Sequence, residues 1–410
     1  MKRYSLPPLL CLLTLSTLLL AACTQASEQK VFPQEYRLTG ERVPHIPAYS
    51  SLSEIKNGIL ISISYVGIQT YSAIDYSSLH SLIGQSDSRI FQTIHSSSPY
   101  HIYVMEVDNK NMIRKYEIDS LGLPRLLQTG FIGVDISMHC PYILRDSLIV
   151  YDEFVPEAAI KIHNLRTNME ERSLHYGTTS LNDRFFDKNM GGLYSNDSCI
   201  VFAYKYQDRI DFYDWQLNLK RSINNQKSAP VIDTTCVPFP PEDIYYYGNS
   251  YMGRNYFYTL YRGVSNKVFR SDSLLIDKNN NIYLYGLTCD VLEVYELNGE
   301  PVCRFHFDDI APGPFIVDEE QNRLFSTRGG GNPLVYQLQG LPKNGKKYPE
   351  YKYIASSLPS TPEPQIFERI NSFRRILYEP DVSPSYLVFF NGNIACVVTK
   401  AKRVMLEEDK

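Results

Sequence analysis

The sequence has no long segment with the 3.6-residue periodicity of an amphipathic helix, and alanine, the best helix former, is scarce. Its 32 tyrosines and many β-branched residues are the types that strands prefer. The composition therefore argues against a helical fold and predicts an all-β protein.

The sequence also lacks the short motifs of common enzyme sites. It contains no Gly-x-Ser-x-Gly elbow, no His-Glu-x-x-His zinc motif and no Cys-x-x-Cys pair. The glycine-rich stretch 327–332 is not followed by the Gly-Lys-Ser/Thr of a phosphate-binding loop. We therefore expect no catalytic residues, no metal ligands and no cofactor, although an enzyme is not excluded.

Positive charge is not in excess, since the formal net charge is -4. A nucleic-acid partner would require a basic surface, so we expect none.

The N-terminus has the layout of an export signal. Lys2 and Arg3 precede a mostly apolar run at 6–20, which is too short for a comfortable membrane span. The run ends in Leu-Ala-Ala-Cys, which resembles the lipobox of bacterial lipoproteins. The resemblance implies cleavage before Cys23 and attachment of lipid to its thiol. Thr24, in place of Asp, then implies the outer membrane of the cell envelope.

A repeated pattern of short strands follows. Similar strand sequences recur at intervals of 41 to 50 residues, with one interval of 82. The repeated position is occupied by Tyr71, Tyr116, His163, Tyr213, Tyr295 and Tyr336. Such a period is typical of a β-propeller, in which four-stranded blades bury both faces. Six blades are expected if the strand 254–263 belongs with Tyr295, and seven if it starts its own blade.

The repeats resemble one family in particular, the TolB-like six-bladed propellers of bacterial lipoproteins. An aromatic strand ends in Leu-Tyr-Arg-Gly at 260–263, and a later strand at 292–299 has the form apolar-x-Val-Tyr-x-x-x-Gly. The turn Val317-Asp318 supports the resemblance, which covers roughly 58–341. It implies a six-bladed β-propeller in a lipid-anchored protein.

Four segments are predicted along the chain. They are a lipoprotein signal peptide at 1–22, a tether at 23–47, the propeller at 48–350, and a spacer with a C-terminal hairpin at 351–410. The hairpin is indicated by two apolar runs joined by Asn391-Gly392, which suits a type I′ turn.

The stretch 277–281, Asp-Lys-Asn-Asn-Asn, superficially resembles the start of a calcium-binding loop. An EF-hand loop needs glycine at its sixth position and a bidentate carboxylate at its twelfth, but these positions hold Ile282 and Thr288. Asp and Asn also favour tight turns. We therefore predict a hairpin turn here and no metal.

A concentration of tyrosines gives the candidate ligand-binding residues. Tyr and Arg dominate binding hot spots. The predicted binding residues are Tyr245, Tyr246, Tyr247, Tyr251 and Arg254. Because they follow a proline-rich stretch at 228–243, we place the tyrosines on a loop at one mouth of the propeller. For Tyr256 and Tyr258, which follow in the sequence, packing in the core is the alternative to ligand binding.

Two classes of function remain open. One is a membrane-anchored binding or scaffold module for a protein, peptide or glycan. The other is a propeller hydrolase or lyase with an active site in its channel. Fold alone does not choose between them, because propellers host both.

Replacing Cys23 with serine should abolish lipidation and release the protein from membranes. Serine has a hydroxyl group in place of the thiol to which the lipid is attached. The measurement is fractionation after a salt and carbonate wash. Cys11→Ser, within the apolar run, should fractionate like the wild type. Retention of the Cys23→Ser protein in the washed membranes would show that the lipoprotein prediction is wrong.

Overall fold

The computed structural model describes residues 30–43, 45–47, 52–64, 67–83, 91–106, 112–131, 141–153, 158–177, 191–224, 244–265, 274–276, 282–284, 291–308, 314–326, 333–342, 384–390 and 393–399. Every regular element in these ranges is a β-strand, which confirms the predicted all-β fold. Within the same ranges there is no helix of the length and hydropathy needed to cross a bilayer.

The first two strands, β1 (Glu35–Leu38) and β2 (Glu41–Arg42), are short, and their partner strands lie far along the sequence. Four antiparallel units of four strands follow. Unit 1 contains β3 (Leu52–Lys56), β4 (Ile59–Ser64), β5 (Gly67–Ser72) and β6 (Ser78–Ile83). Unit 2 contains β7 (Phe91–Ser96), β8 (His101–Glu106), β9 (Met112–Ile118) and β10 (Pro124–Phe131). Unit 3 contains β11 (Tyr142–Leu144), β12 (Leu148–Glu153), β13 (Ala158–Asn164) and β14 (Met169–Gly177).

Unit 4 contains β15 (Gly191–Ser195), β16 (Ile200–Tyr204), β17 (Arg209–Tyr213) and β18 (Leu219–Asn224). Strands in each of these units pair in sequence order. Units 2 and 3 are also joined through their first strands, because β7 and β11 pair in parallel with His95 opposite Tyr142. First strands therefore approach one another between units.

Unit 5 carries the long interval in the repeat. It begins with β19 (Ile244–Met252) and β20 (Tyr256–Ser265), is interrupted by the two-stranded sheet β21 (Leu274–Ile276) and β22 (Ile282–Leu284), and ends with β23 (Val291–Glu296) and β24 (Pro301–Phe307). β20 pairs directly with β23, so the strands on both sides of the insertion form one sheet. The predicted turn 277–281 lies outside the described residues, and the strands that flank it pair with each other.

The N-terminal strands complete the last two units. β1 pairs in parallel with β24 as a fifth strand of unit 5. Unit 6 consists of β25 (Phe315–Asp318), β26 (Arg323–Ser326) and β27 (Leu334–Gln337), and β2 supplies its fourth strand. The segment 23–47 was expected to be a tether, whereas β1 and β2 in its second half are paired strands of these sheets.

The predicted C-terminal hairpin is present as β28 (Pro384–Phe390) and β29 (Asn393–Thr399), which pair in antiparallel. Its predicted turn, Asn391-Gly392, lies outside the described residues. Of the cysteines in the described ranges, Cys199 and Cys303 are free and buried. Cys199 directly precedes the apolar strand β16, which accounts for its burial.

The repeated tyrosine or histidine position has a structural meaning. All six of these residues lie in the third strand of their unit and are buried, namely Tyr71, Tyr116, His163, Tyr213, Tyr295 and Tyr336. In units 1 to 5 the pairing of the third strand with the fourth shifts register at this residue. Such a bulge increases the local twist of a sheet. The repeat found in the sequence is therefore confirmed as a repeat of strands.

The apolar core is divided among the junctions between units. Six clusters of buried side chains occur in the described ranges, and each combines residues from two units. Five join units that are consecutive in sequence. The sixth joins the first unit to the last, with Leu60 and Tyr71 packed in the same cluster as Ile316 and Phe325.

A buried cation from the N-terminal segment bridges units 4 and 5. The Lys30 ammonium is 1% exposed and forms ion pairs with Asp208 and, at 3.3 Å, with Glu293. It also lies over the rings of Tyr247 and Tyr261, at 4.8 and 4.1 Å from their centroids. The ring faces add a favourable cation–π contact in this dry environment.

Replacing Lys30 with methionine should lower the free energy of unfolding by roughly 3–5 kcal/mol, because it removes the ammonium that is paired with buried Asp208 and that shares Glu293 with Arg304. Lys220→Met removes an exposed partner of Asp214 and should cost at most about 1 kcal/mol. Urea titration of both variants is the measurement. Equal losses in the two would contradict a bridging role for Lys30.

Candidate functional site

A cavity of about 70 Å³ lies where the first strands of units 1 to 5 meet, and we call it the strand-end cavity. The last residues of β3, β7, β15 and β19 line it, together with the first residue of β11. The side chains that define it are those of Glu54, Lys56, His95, Tyr142, Ser195 and Tyr251. Four strands thus end at the same place, and we refer to the turns that follow them as the mouth.

Glu54 is the buried charge at the centre of this group. One carboxylate oxygen lies 3.2 Å from His95 Nδ1, and the other lies 3.3 Å from the Lys56 ammonium. Burial alone would raise the pKa of Glu54, but the positive charge of Lys56 and the hydrogen bond with His95 hold it below its ordinary value. Glu54 is therefore ionised at neutral pH.

Lys56 also forms a hydrogen bond to the backbone of the neighbouring unit 2. Its ammonium donates a hydrogen bond to the carbonyl of Ser96, and Asn57 Nδ2 donates to the carbonyl of Pro99 at 3.1 Å. The end of β3 is therefore fixed against the end of β7. Glu54 and Lys56, two residues apart on a strand, project to the same face.

Two buried polar atoms at the cavity have unused hydrogen-bonding capacity. Within the described part of the chain, Glu54 Oε2 has the Lys56 ammonium at 3.3 Å as its ion-pair partner but no well-aligned hydrogen bond, and the Ser195 hydroxyl has no partner. Both residues are only 4% exposed. Buried polar groups are almost always hydrogen-bonded, so two such groups lining one cavity indicate a place for a ligand or for ordered water.

Tyrosine rings form the wall of the cavity. The Tyr142 hydroxyl donates to Asp197 at 2.8 Å, which links units 3 and 4. Tyr251 packs against Tyr258, with ring centroids 6.5 Å apart. Burial, and then the charges of Glu54 and Glu319, raise the pKa of Tyr251 well above its ordinary value. Tyr251 therefore presents a protonated hydroxyl.

The turn after β19 is held by both neighbouring units. The Glu319 carboxylate accepts hydrogen bonds from the backbone amides of Arg254, Asn255 and Tyr256, at 2.9 to 3.1 Å. Burial raises the pKa of Glu319, and these amides oppose the rise. From unit 4, Asn196 Nδ2 donates to the Gly253 carbonyl at 2.8 Å.

The hydrogen bonds between Glu319 and this turn require glycine at position 253. A β-carbon at this position would lie 2.0 Å from Glu319 Oε1, which is far inside van der Waals contact. Only glycine lets the carboxylate approach the turn. The mouth next to Tyr251 is consequently a fixed surface, on which the Arg254 side chain is 72% exposed beside Glu320.

The structure separates the five predicted binding residues. The expected loop at 245–251 is instead strand β19, because from Ile244 onward the backbone pairs with β20. Tyr251 lines the strand-end cavity, and Arg254 lies in the turn at the same end. Tyr245 lies six positions before Tyr251, or about 20 Å along a strand.

The other tyrosines of the prediction face different surroundings. Tyr247 is buried, and its hydroxyl donates to Asp208 at 2.9 Å, so its role is in the core. Tyr245 is half-buried, with the Arg262 guanidinium 4.7 Å from its ring centroid. Tyr246 is also half-buried and lies 6.4 Å from Tyr261, centroid to centroid. Cys23, the predicted lipidation site, lies outside the described residues.

The sequence did not reveal Glu54, Lys56, His95 or Ser195 as site residues. They come from three different units and form no motif along the chain. The one local signal is the pair Glu54 and Lys56, which places two charges in an apolar strand just before the Asn57-Gly58 turn. Charges in such a strand must find partners on folding.

No family model matches this chain, and no curated protein is similar to it. Among the described residues, no group of three or more His, Cys, Asp and Glu side chains is arranged to hold a metal ion. The chemistry of the strand-end cavity is therefore the guide to function.

Tyr247→Ala should lower the free energy of unfolding by about 3–5 kcal/mol, because it removes a buried ring and one of the hydrogen bonds to buried Asp208. Tyr245→Ala, on the same strand but half-exposed, should cost about 1 kcal/mol. Chemical denaturation of both variants measures the difference. If Tyr247→Ala is as stable as Tyr245→Ala, Tyr247 does not belong to the core.

Proposed function

We propose that the chain is a lipid-anchored protein of the bacterial cell envelope that binds a protein, peptide or glycan partner at one mouth of a closed six-bladed β-propeller. The proposal makes it a binding or scaffold module rather than an enzyme. The observation that carries it is the strand-end cavity, where five units contribute residues around the buried Glu54–Lys56 ion pair and where the Ser195 hydroxyl has no partner among the described residues.

Closure of the propeller is supported by the junctions between units. Each successive pair of units shares an apolar cluster, and so do the last and the first. At that last junction the Arg323 guanidinium donates to the Ala73 carbonyl at 2.8 Å. The pairing of β20 with β23 favours six blades over seven, as the resemblance to TolB-like propellers implies.

The membrane anchor is supported by the lipobox sequence and fits the fold. Cys23 precedes the buried Lys30 by seven residues, which span at most about 25 Å even when fully extended. Lipid on Cys23 would therefore hold the propeller close to the bilayer. The absence of Asp at residue 24 favours the outer membrane.

Binding is favoured over acid–base catalysis by the state of Glu54. Its carboxylate is paired with Lys56 and His95, which lower its pKa, whereas a general base at neutral pH needs a raised one. The cavity also has room for only a handful of water molecules or a similar small group. A partner therefore contacts the mouth and inserts a small part of itself.

A hydrolase or lyase is the second candidate, because Ser195, His95 and Glu54 line the same cavity. Nucleophilic catalysis by serine requires a hydrogen bond to its base. Among the described residues the Ser195 hydroxyl makes none. Labelling of the wild type but not of Ser195→Ala by a fluorophosphonate would favour the enzyme.

The binding proposal is tested by photo-crosslinking in the native envelope. A benzophenone side chain at position 254, in the exposed turn of the mouth, should crosslink to the partner. The same group at position 245, near the opposite end of β19, is the matched control. Adding Tyr251→Ala should reduce the crosslinked product at least about tenfold, as expected for a hot-spot residue.

Crosslinking from position 245 alone, or a product unchanged by Tyr251→Ala, would contradict binding at this mouth. The melting temperature of each variant, followed by circular dichroism, shows whether it remains folded.

A further inference from the structure

The charges in the strand-end cavity cancel one another. The Glu54 carboxylate faces the Lys56 ammonium at 3.3 Å, and both side chains are less than one-tenth exposed. An incoming cation would meet Lys56, and an incoming anion would meet Glu54. The pair instead presents one strong acceptor beside one strong donor, which favours an uncharged ligand that can both donate and accept.

The remaining hydrogen-bonding capacity in the cavity indicates the same class of ligand. Besides its ion pair with Lys56, Glu54 Oε2 can only accept, so a further partner must be a donor. The Ser195 hydroxyl can donate or accept, and it is without a partner among the described residues. An ammonium group on a ligand has no hydrogen-bond acceptor. An ionised carboxylate on a ligand has no hydrogen-bond donor for Glu54. A hydroxyl group has both.

Aromatic walls complete the description. The rings of Tyr142, Tyr194 and Tyr251 line the cavity together with the charged pair. The flat C–H face of a sugar ring packs against an aromatic ring while its hydroxyls reach polar groups at the edge. A volume of about 70 Å³ admits the edge of one sugar residue and not a chain of them.

We propose that the strand-end cavity binds two neighbouring hydroxyl groups of a neutral sugar residue, with one donating to Glu54 and the other accepting from Lys56. Ser195 contributes a further hydrogen bond, and Tyr251 contributes stacking. This inference rests on the proposed binding function and makes its ligand specific: a glycan whose terminal residue enters the mouth.

The test uses the full-length protein in detergent and saturation-transfer NMR. The neutral probes are glucose, galactose, mannose and N-acetylglucosamine, and the charged probes are glucuronate and putrescine. At least one neutral sugar should bind with a dissociation constant near the millimolar range, and both charged probes should bind about tenfold more weakly or not at all.

Variants locate the binding. Glu54→Gln should weaken the neutral sugar about tenfold or more, and Ser195→Ala several-fold, because each loses a buried hydrogen bond. Ser326→Ala is the matched control, since Ser326 is also a buried serine without a hydroxyl partner among the described residues but does not line the cavity. It should bind like the wild type.

The inference is overturned if none of the neutral sugars binds, if a charged probe binds best, or if Ser195→Ala and Ser326→Ala bind alike. These results differ from a failure of the proposed function. Crosslinking from position 254 that depends on Tyr251, without any sugar binding, would leave a binding module whose partner is not recognised through sugar hydroxyls.

Discussion

Each four-stranded sheet of this protein is apolar on both faces, and this constraint governs the rest of the structure. Strand β16 shows it most clearly, since all five of its residues are buried. Its neighbouring residues Val201 and Phe202 belong to different clusters, one shared with unit 5 and the other with unit 3. Successive side chains on a strand point to opposite faces, so unit 4 is covered on both sides.

A sheet of this kind cannot stand at the end of a row. If the units formed an open array, the first and the last would each leave one apolar face in water, at about 25 cal/mol for every Å² exposed. The cluster that joins Leu60 of unit 1 to Phe325 of unit 6 removes that cost. The N-terminal strand β2 adds a second link, because it pairs with β27 and is followed closely by unit 1.

Polar groups caught inside such an assembly must find partners across the junctions. Lys30 does so with Asp208 and Glu293, and Glu319 does so with the amides of the turn after β19. The strand-end cavity holds two buried groups that keep hydrogen-bonding capacity, Glu54 and Ser195, and they line an open space. Buried polar groups with remaining capacity that also line a cavity are where a function is expected.

The sequence allowed the strand repeat to be predicted, because the recurring tyrosine is a local signal with a fixed period. It misplaced Tyr247, since the prolines at 228–243 suggested that a loop would continue through Tyr251, whereas strand β19 begins at Ile244. It also gave no sign that β1 and β2 would pair with strands some 270 to 290 residues later. The cavity residues were missed for the same reason, because they come together only when units meet.

Contact between the first and last units is the claim on which the cavity and its mouth depend. The Tyr76 ring lies 6.0 Å from the Phe325 ring, centroid to centroid. A benzophenone side chain at position 76, irradiated in the purified full-length protein and analysed by mass spectrometry, should crosslink to the peptide that contains Phe325. Crosslinks confined to unit 1, or formed only between two molecules, would contradict the proposed closed arrangement.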